Sequence, residues 1–139
     1  MTLVEVVLGI TILVLISTIS FSYFNLDSYK VNSFIRQLNS DIRYVRKVNK
    51  LGNTKVHIIF TQNNGCNGYI LKENGYNAKE KYLPKGINLS CPVGKILFDR
   101  QGAFYVGGTT ITIGKDENYT DITIVPVSGR VLIKEGIYK

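Results

Sequence analysis

The sequence predicts an α+β protein, in which a long N-terminal α-helix packs on a domain of antiparallel β-sheet. Three observations carry this. Residues 1–51 contain no proline and a single glycine, Gly9, so little in that stretch breaks a helix. Within it, Val31, Ile35, Leu38, Ile42 and Val45 recur at spacings of four and three, the period of one helical face. Beyond residue 52 the texture changes to short runs of β-branched and aromatic residues punctuated by glycine and asparagine, with no helical period between them.

The helix reads as two halves, 1–25 and 26–51. Residues 6–24 carry no charge. At 1.5 Å per residue they span roughly 28 Å, close to the hydrocarbon thickness of a bilayer, so the first half is expected to cross a membrane. Glu5 stands at its head. An acidic residue costs roughly 3 kcal/mol at the centre of such a helix and less near an end, and it is usually retained because something pairs with it. The second half is amphipathic: Arg36, Arg43, Arg46, Lys47 and Lys50 fall in an arc of roughly 100° beside the apolar stripe, the ordinary place for a solvated face. Gly52 and Asn53 then supply a helix stop, since both tolerate the left-handed conformation that a helix end commonly needs.

The strand candidates are KVHIIF, GYILKE, GINLS, KILFD, AFYV, TTITIG, YTDITIVPV and RVLIKE, separated by NNG, ENG, PKG, RQG, GG, KDEN and SG. Such short, consecutive strands imply antiparallel sheets across residues 52–139, one face of which covers the amphipathic helix.

With 139 residues, 45% apolar and 19% charged, the chain is one domain's worth with a modest soluble core. A net charge of +7 and a pI near 9.4 suit an anionic partner such as nucleic acid, lipid head groups or wall polymer, or simply solubility. Cys66 and Cys91 lie in turn-rich sequence. Beyond a membrane anchor, on an oxidising side, they are expected to be joined, closing a loop of about 25 residues worth about 3.5 kcal/mol; the alternative is two free buried thiols. His57, the sole histidine, sits in the apolar run VHIIF and reads as a structural residue. Zinc would need more donors than the chain offers. The patterns GxSxG, GxxxxGKS and GxGxxG are absent, and a cysteine nucleophile would lack an oriented histidine. No catalytic residue, metal or cofactor is therefore expected, and the chain does not read as an enzyme.

Thr2, Leu3 and Glu5, followed by about twenty apolar residues, resemble the mature N-terminus of type IV pilins and pseudopilins. That resemblance implies that a prepilin peptidase removes a basic leader, that Met1 is N-methylated, and that Glu5 neutralises the N-terminal amine of a neighbouring subunit. The visible basic residues all follow the apolar segment, which alone would place the β domain in the cytoplasm. A removed basic leader reverses the orientation, so the numbering is expected to start at the mature residue, or Met1 to be a start codon in place of Phe. Many major pilins carry Pro at position 22; here it is Ser22, which favours a minor pilin or pseudopilin.

The second half is similar to the GspH/FimT class in its helix with an arginine near the end, its F-x-x-x-G turn at Phe98 and Gly102, and its final hairpin closing on Gly129, Arg130 and Val131. The resemblance implies a pilin fold. It also implies a bacterial plasma-membrane protein with its C-terminal domain outside, later part of a surface or periplasmic filament. The implied partners are other pilins, an inner-membrane assembly platform, prepilin peptidase and the lipid bilayer. FimT-like members bind DNA in natural transformation through G-R-x-R. Gly129 and Arg130 match, Leu132 replaces the second arginine, and Lys134 and Lys139 are candidate phosphate contacts. Arg130 paired with Asp121 is the structural alternative. Three readings stand: filament subunit, DNA-binding minor pilin, and type II secretion pseudopilin.

Overall fold

A computed structural model describes residues 2–22, 26–115 and 117–137. Two helices lead, α1 (Leu3–Ser22) and α2 (Leu26–Lys50). The predicted stripe is the buried face of α2: Ile35, Leu38, Ile42 and Val45 are buried together with Phe34, and Val31 is half-buried. The helix stops where expected. Gly52 has φ 96°, and the Asn53 N–H returns to the carbonyl of Val48 at 3.2 Å.

The remainder is two four-stranded antiparallel sheets. The first joins β1 (His57–Asn63), β2 (Cys66–Glu73), β3 (Tyr76–Tyr82) and β5 (Lys95–Ile96) in the order β3-β2-β1-β5. The second joins β4 (Asn88–Ser90), β6 (Thr109–Lys115), β7 (Asn118–Ile124) and β8 (Val131–Ile137) in the order β4-β6-β7-β8. Asn64 and Asn74, at φ 50° and 51°, each precede a glycine of positive φ. Both loops are two-residue hairpin turns that need left-handed backbone at both positions, which explains the Asn-Gly pairs.

Alternate residues of both sheets point into one core with α2: Ile58, Tyr69, Leu71 and Ile96 from the first, and Ile111, Ile113, Ile122 and Ile124 from the second. The rings of Phe34 and Tyr69 meet edge to face at 5.3 Å, a favoured aromatic geometry. The expected antiparallel sheet domain packed on a helix is thus the observed architecture.

Two strand expectations differ. β3, sequence YNAKEKY, lacks β-branched residues; it is an edge strand carried by the Asn74-Gly75 hairpin, mostly exposed. Conversely, AFYV contributes only a single bridge, Phe98 to Phe104. A tight turn at Gly102, with the Ala103 N–H on Asp99 Oδ1 at 2.8 Å, leaves no room for a ladder there.

Among the described residues no helix is long and apolar enough to cross a membrane. α1 carries Glu5 in its first turn. Thr11 and Ser17 fold their hydroxyls back onto the carbonyls of Val7 and Leu13, at 2.7 and 2.8 Å. The described residues thus do not by themselves support the expected span. What α1 does have is exposure: every residue from 2 to 18 is exposed, apolar ones included.

Candidate functional site

The head of α1 is built from two side chains. The Thr2 N–H donates to Glu5 Oε2 at 2.7 Å, and the Glu5 N–H donates to Thr2 Oγ1 at 3.4 Å. This is a reciprocal capping box, in which the N-cap hydroxyl and the carboxylate three residues on satisfy each other's backbone donors. The negative charge also sits at the positive end of the helix dipole. Sequence reasoning sent Glu5 to a neighbour and missed this local partner, although the T-x-x-E spacing signals it. Leu3, 83% exposed, opens the apolar surface beyond. Met1 lies outside the described residues, and its methylation and its amine lie there with it; Lys139 does too.

At the other end of α2 the residues singled out by the GspH/FimT resemblance converge. The Arg46 guanidinium donates through Nε to the carbonyl of Gly102 at 3.0 Å. Asn49, fully buried, accepts the Phe98 N–H at 2.9 Å and donates to the carbonyls of Asn53 and Val56. Gly129 has φ 58°, and a Cβ there would overlap the Gly102 carbonyl oxygen and crowd Arg46 and Phe98. Glycine is required at 129 for both backbone angle and space. The Lys50 stem lies against Gly102, while Arg100 and Arg130, both exposed, flank the two glycine turns. Arg46, Lys50, Arg100 and Arg130 thus form a basic pole from three separate segments. Beside it Tyr105, Val106 and Val127 are 74%, 61% and 87% exposed, in loops joined by the Phe104 N–H to the Pro126 carbonyl at 3.3 Å.

Lys134 is not part of this pole. It shares a sheet face with Arg130 but lies four residues along β8, roughly 13 Å away, opposite Asp121. Asp121 in turn accepts from the Thr112 hydroxyl at 2.7 Å. The structure therefore opposes Asp121 to Lys134 rather than to Arg130. The one ion pair among the described residues is Lys79–Asp41, inside a buried network that sequence reasoning did not find. Asp41, 5% exposed, accepts from Tyr69 Oη at 2.6 Å, Lys79 Nζ at 2.9 Å and Gln37 Nε2 at 3.0 Å. Burial, then the Asp41 carboxylate, push the Tyr69 hydroxyl far above its ordinary pKa. The network bolts α2 to β2 and β3.

Cys66 and Cys91, expected to be joined, are half-buried and carry no bond to each other in this structure. Cys91 points its thiol at its own loop, donating to the Val93 carbonyl at 2.9 Å, and burial pushes its pKa up. His57 stands in register with Lys72 on the sheet face. Burial, then Lys95 and Lys72, lower its pKa. Among the described residues no cluster of His, Cys, Asp and Glu could hold a metal ion. No protein family matches the chain, and neither curated proteins nor solved structures show a match.

Proposed function

We propose that the protein is a structural subunit of a type IV pilus-like filament, a minor pilin or pseudopilin, assembled through α1. One observation carries this reading: α1 is apolar and exposed along residues 2–18, whereas α2 and the sheets bury a complete core without it. An exposed apolar surface of that length calls for burial elsewhere. A bilayer offers it before assembly, and the packed helices of neighbouring subunits offer it afterwards. On this reading the capping box is the resting state of Glu5. Its carboxylate is satisfied by Thr2 until the amine of a neighbour's first residue replaces that contact, and pairing two otherwise isolated charges in apolar surroundings recovers much of their desolvation cost.

The test is Glu5→Gln. Glutamine also completes a capping box, so the helix stays intact while the charge is lost. The variant should remain membrane-associated and enter filaments poorly; subunit content equal to wild type in purified filaments would refute the reading.

A second reading, contact with DNA, is favoured by the basic pole. Arg130 is joined there by Arg46, Lys50 and Arg100 rather than by Lys134, and guanidinium groups suit phosphate geometry. Binding of this kind releases counterions, so Arg130→Ala should flatten the slope of log affinity against log salt by about 1. Lys134→Ala should leave it unchanged. Equal effects of the two substitutions would remove the pole as the contact.

A further inference from the structure

The four elements α2, β6, β7 and β8 run between two ends of the molecule. The basic pole lies where α2 ends, β6 begins, β7 ends and β8 begins. At the opposite end, where α2 begins, β6 ends, β7 begins and β8 ends, an open groove of about 1040 Å³ is lined by Val31, Ile87, Ile113 and Tyr119, with the carboxylates of Asp27 and Glu135 at its walls. Among the described residues of that lining Lys115 is the only cation. Seven residues of strand separate the two ends by about 24 Å, and α2 spans about 35 Å between Asp27 and Lys50.

The two ends are complementary. At one, Tyr105, Val106 and Val127 are exposed beside arginine and lysine; the other is an open groove of mixed apolar and polar lining with two carboxylates at its walls. Neither end has an ion-pair partner within its own chain among the described residues. A surface unlike its partner surface makes a heterologous contact, which repeats along a line instead of closing into a dimer.

We infer that the chain docks head to tail on a second copy of itself, the pole at 100–106 and 127–130 of one copy seating in the groove beside Asp27 and Glu135 of the next. Tyr105 is the aromatic anchor of the contact, the kind of side chain that dominates interface energy, and the charges set its register. The inference rests on the filament reading and adds to it a second contact, between β domains, independent of α1.

The experiment uses the full chain in non-ionic detergent as an equal mixture of ¹⁴N- and ¹⁵N-labelled copies, with Tyr105→p-benzoylphenylalanine as a photo-cross-linker. Irradiation should give a heavy-light dimer whose cross-linked residue lies within 27–32, 113–115, 118–120 or 135–136 of the other copy, the groove lining, and not within its own 127–130. Asp27→Lys with Glu135→Lys should lower the yield about tenfold through like-charge repulsion, and adding Arg100→Glu with Arg130→Glu should restore it. All of these positions are exposed, and an unchanged thermal melting curve checks that each variant is folded. No heavy-light dimer, adducts elsewhere, or a yield indifferent to the charge exchange would overturn the docking. Filaments that still depend on Glu5 in that event would leave the α1 reading standing, whereas cross-links that persist while Glu5→Gln filaments stay normal would remove the α1 reading instead.

Discussion

Asp41→Ala should cost about 3 kcal/mol of folding stability. Three donors reach this carboxylate, and they differ in what they lose. The Lys79 side chain is 34% exposed and can turn its ammonium to water, so its loss is discounted toward the small value of a solvent-screened pair. Gln37 is half-buried on the helix flank. Tyr69 is fully buried, so its hydroxyl would be stranded, a penalty of roughly 1–3 kcal/mol. Adding about 1 kcal/mol for the lost charge-assisted bonds gives about 3, the low edge of the range for breaking a buried pair. For a domain of about a hundred residues this lowers Tm by about 12 °C.

The assay is thermal melting of residues 26–139, which keep the whole buried core, since that core runs between Phe34 and Ile124. Tyr69→Phe supplies the control. With no hydroxyl to strand, Asp41→Ala combined with Tyr69→Phe should lose about 1–2 kcal/mol less than the sum of the single changes. Strict additivity, or an Asp41→Ala midpoint within about 2 °C of wild type, would refute the argument that the orphaned hydroxyl dominates.

Gly129→Ala should cost about 2–4 kcal/mol, combining left-handed strain with overlap on the Gly102 carbonyl. Gly107→Ala, at φ 101° but with open space around it, should cost only the strain, about 1 kcal/mol; equal losses in urea unfolding would contradict the packing account. His57 has its pKa lowered in the folded state, so the unfolded chain takes up the proton more readily. The stabilisation is present above the ordinary value of about 6.5 and lost as pH falls through the folded value. His57→Gln should flatten the decline of the urea midpoint between about pH 6.5 and 5, and an unchanged slope would show that other groups set it. Native alkylation followed by intact mass should add two labels, with Cys91 the slower site because burial raises its thiol pKa; a single mass corresponding to no label would restore the disulfide.

Local periodicity reached much of this fold. The stripe from Val31 to Val45, the Gly52 stop and the Asn-Gly hairpins were legible because each is set by residues within a turn or two of one another. β3 was not, because its place is imposed by the neighbouring hairpin and its composition is that of an exposed edge. The candidate site divides in the same way. The apolar head with Glu5 is a property of consecutive residues, and even the Thr2–Glu5 cap was written in a three-residue spacing. By contrast, Asp41 meets Tyr69 and Lys79 across 28 and 38 positions, and Arg46 meets Gly102 across 56. Such pairings depend on which faces the packed sheets bring together, a choice made by burying the whole apolar set at once. The same packing set Arg130 beside the end of α2 and put Lys134 opposite Asp121, so the sequence alone determined that there would be an apolar helix and an amphipathic one carrying a β domain, and tertiary structure alone decided which of its cations lie together.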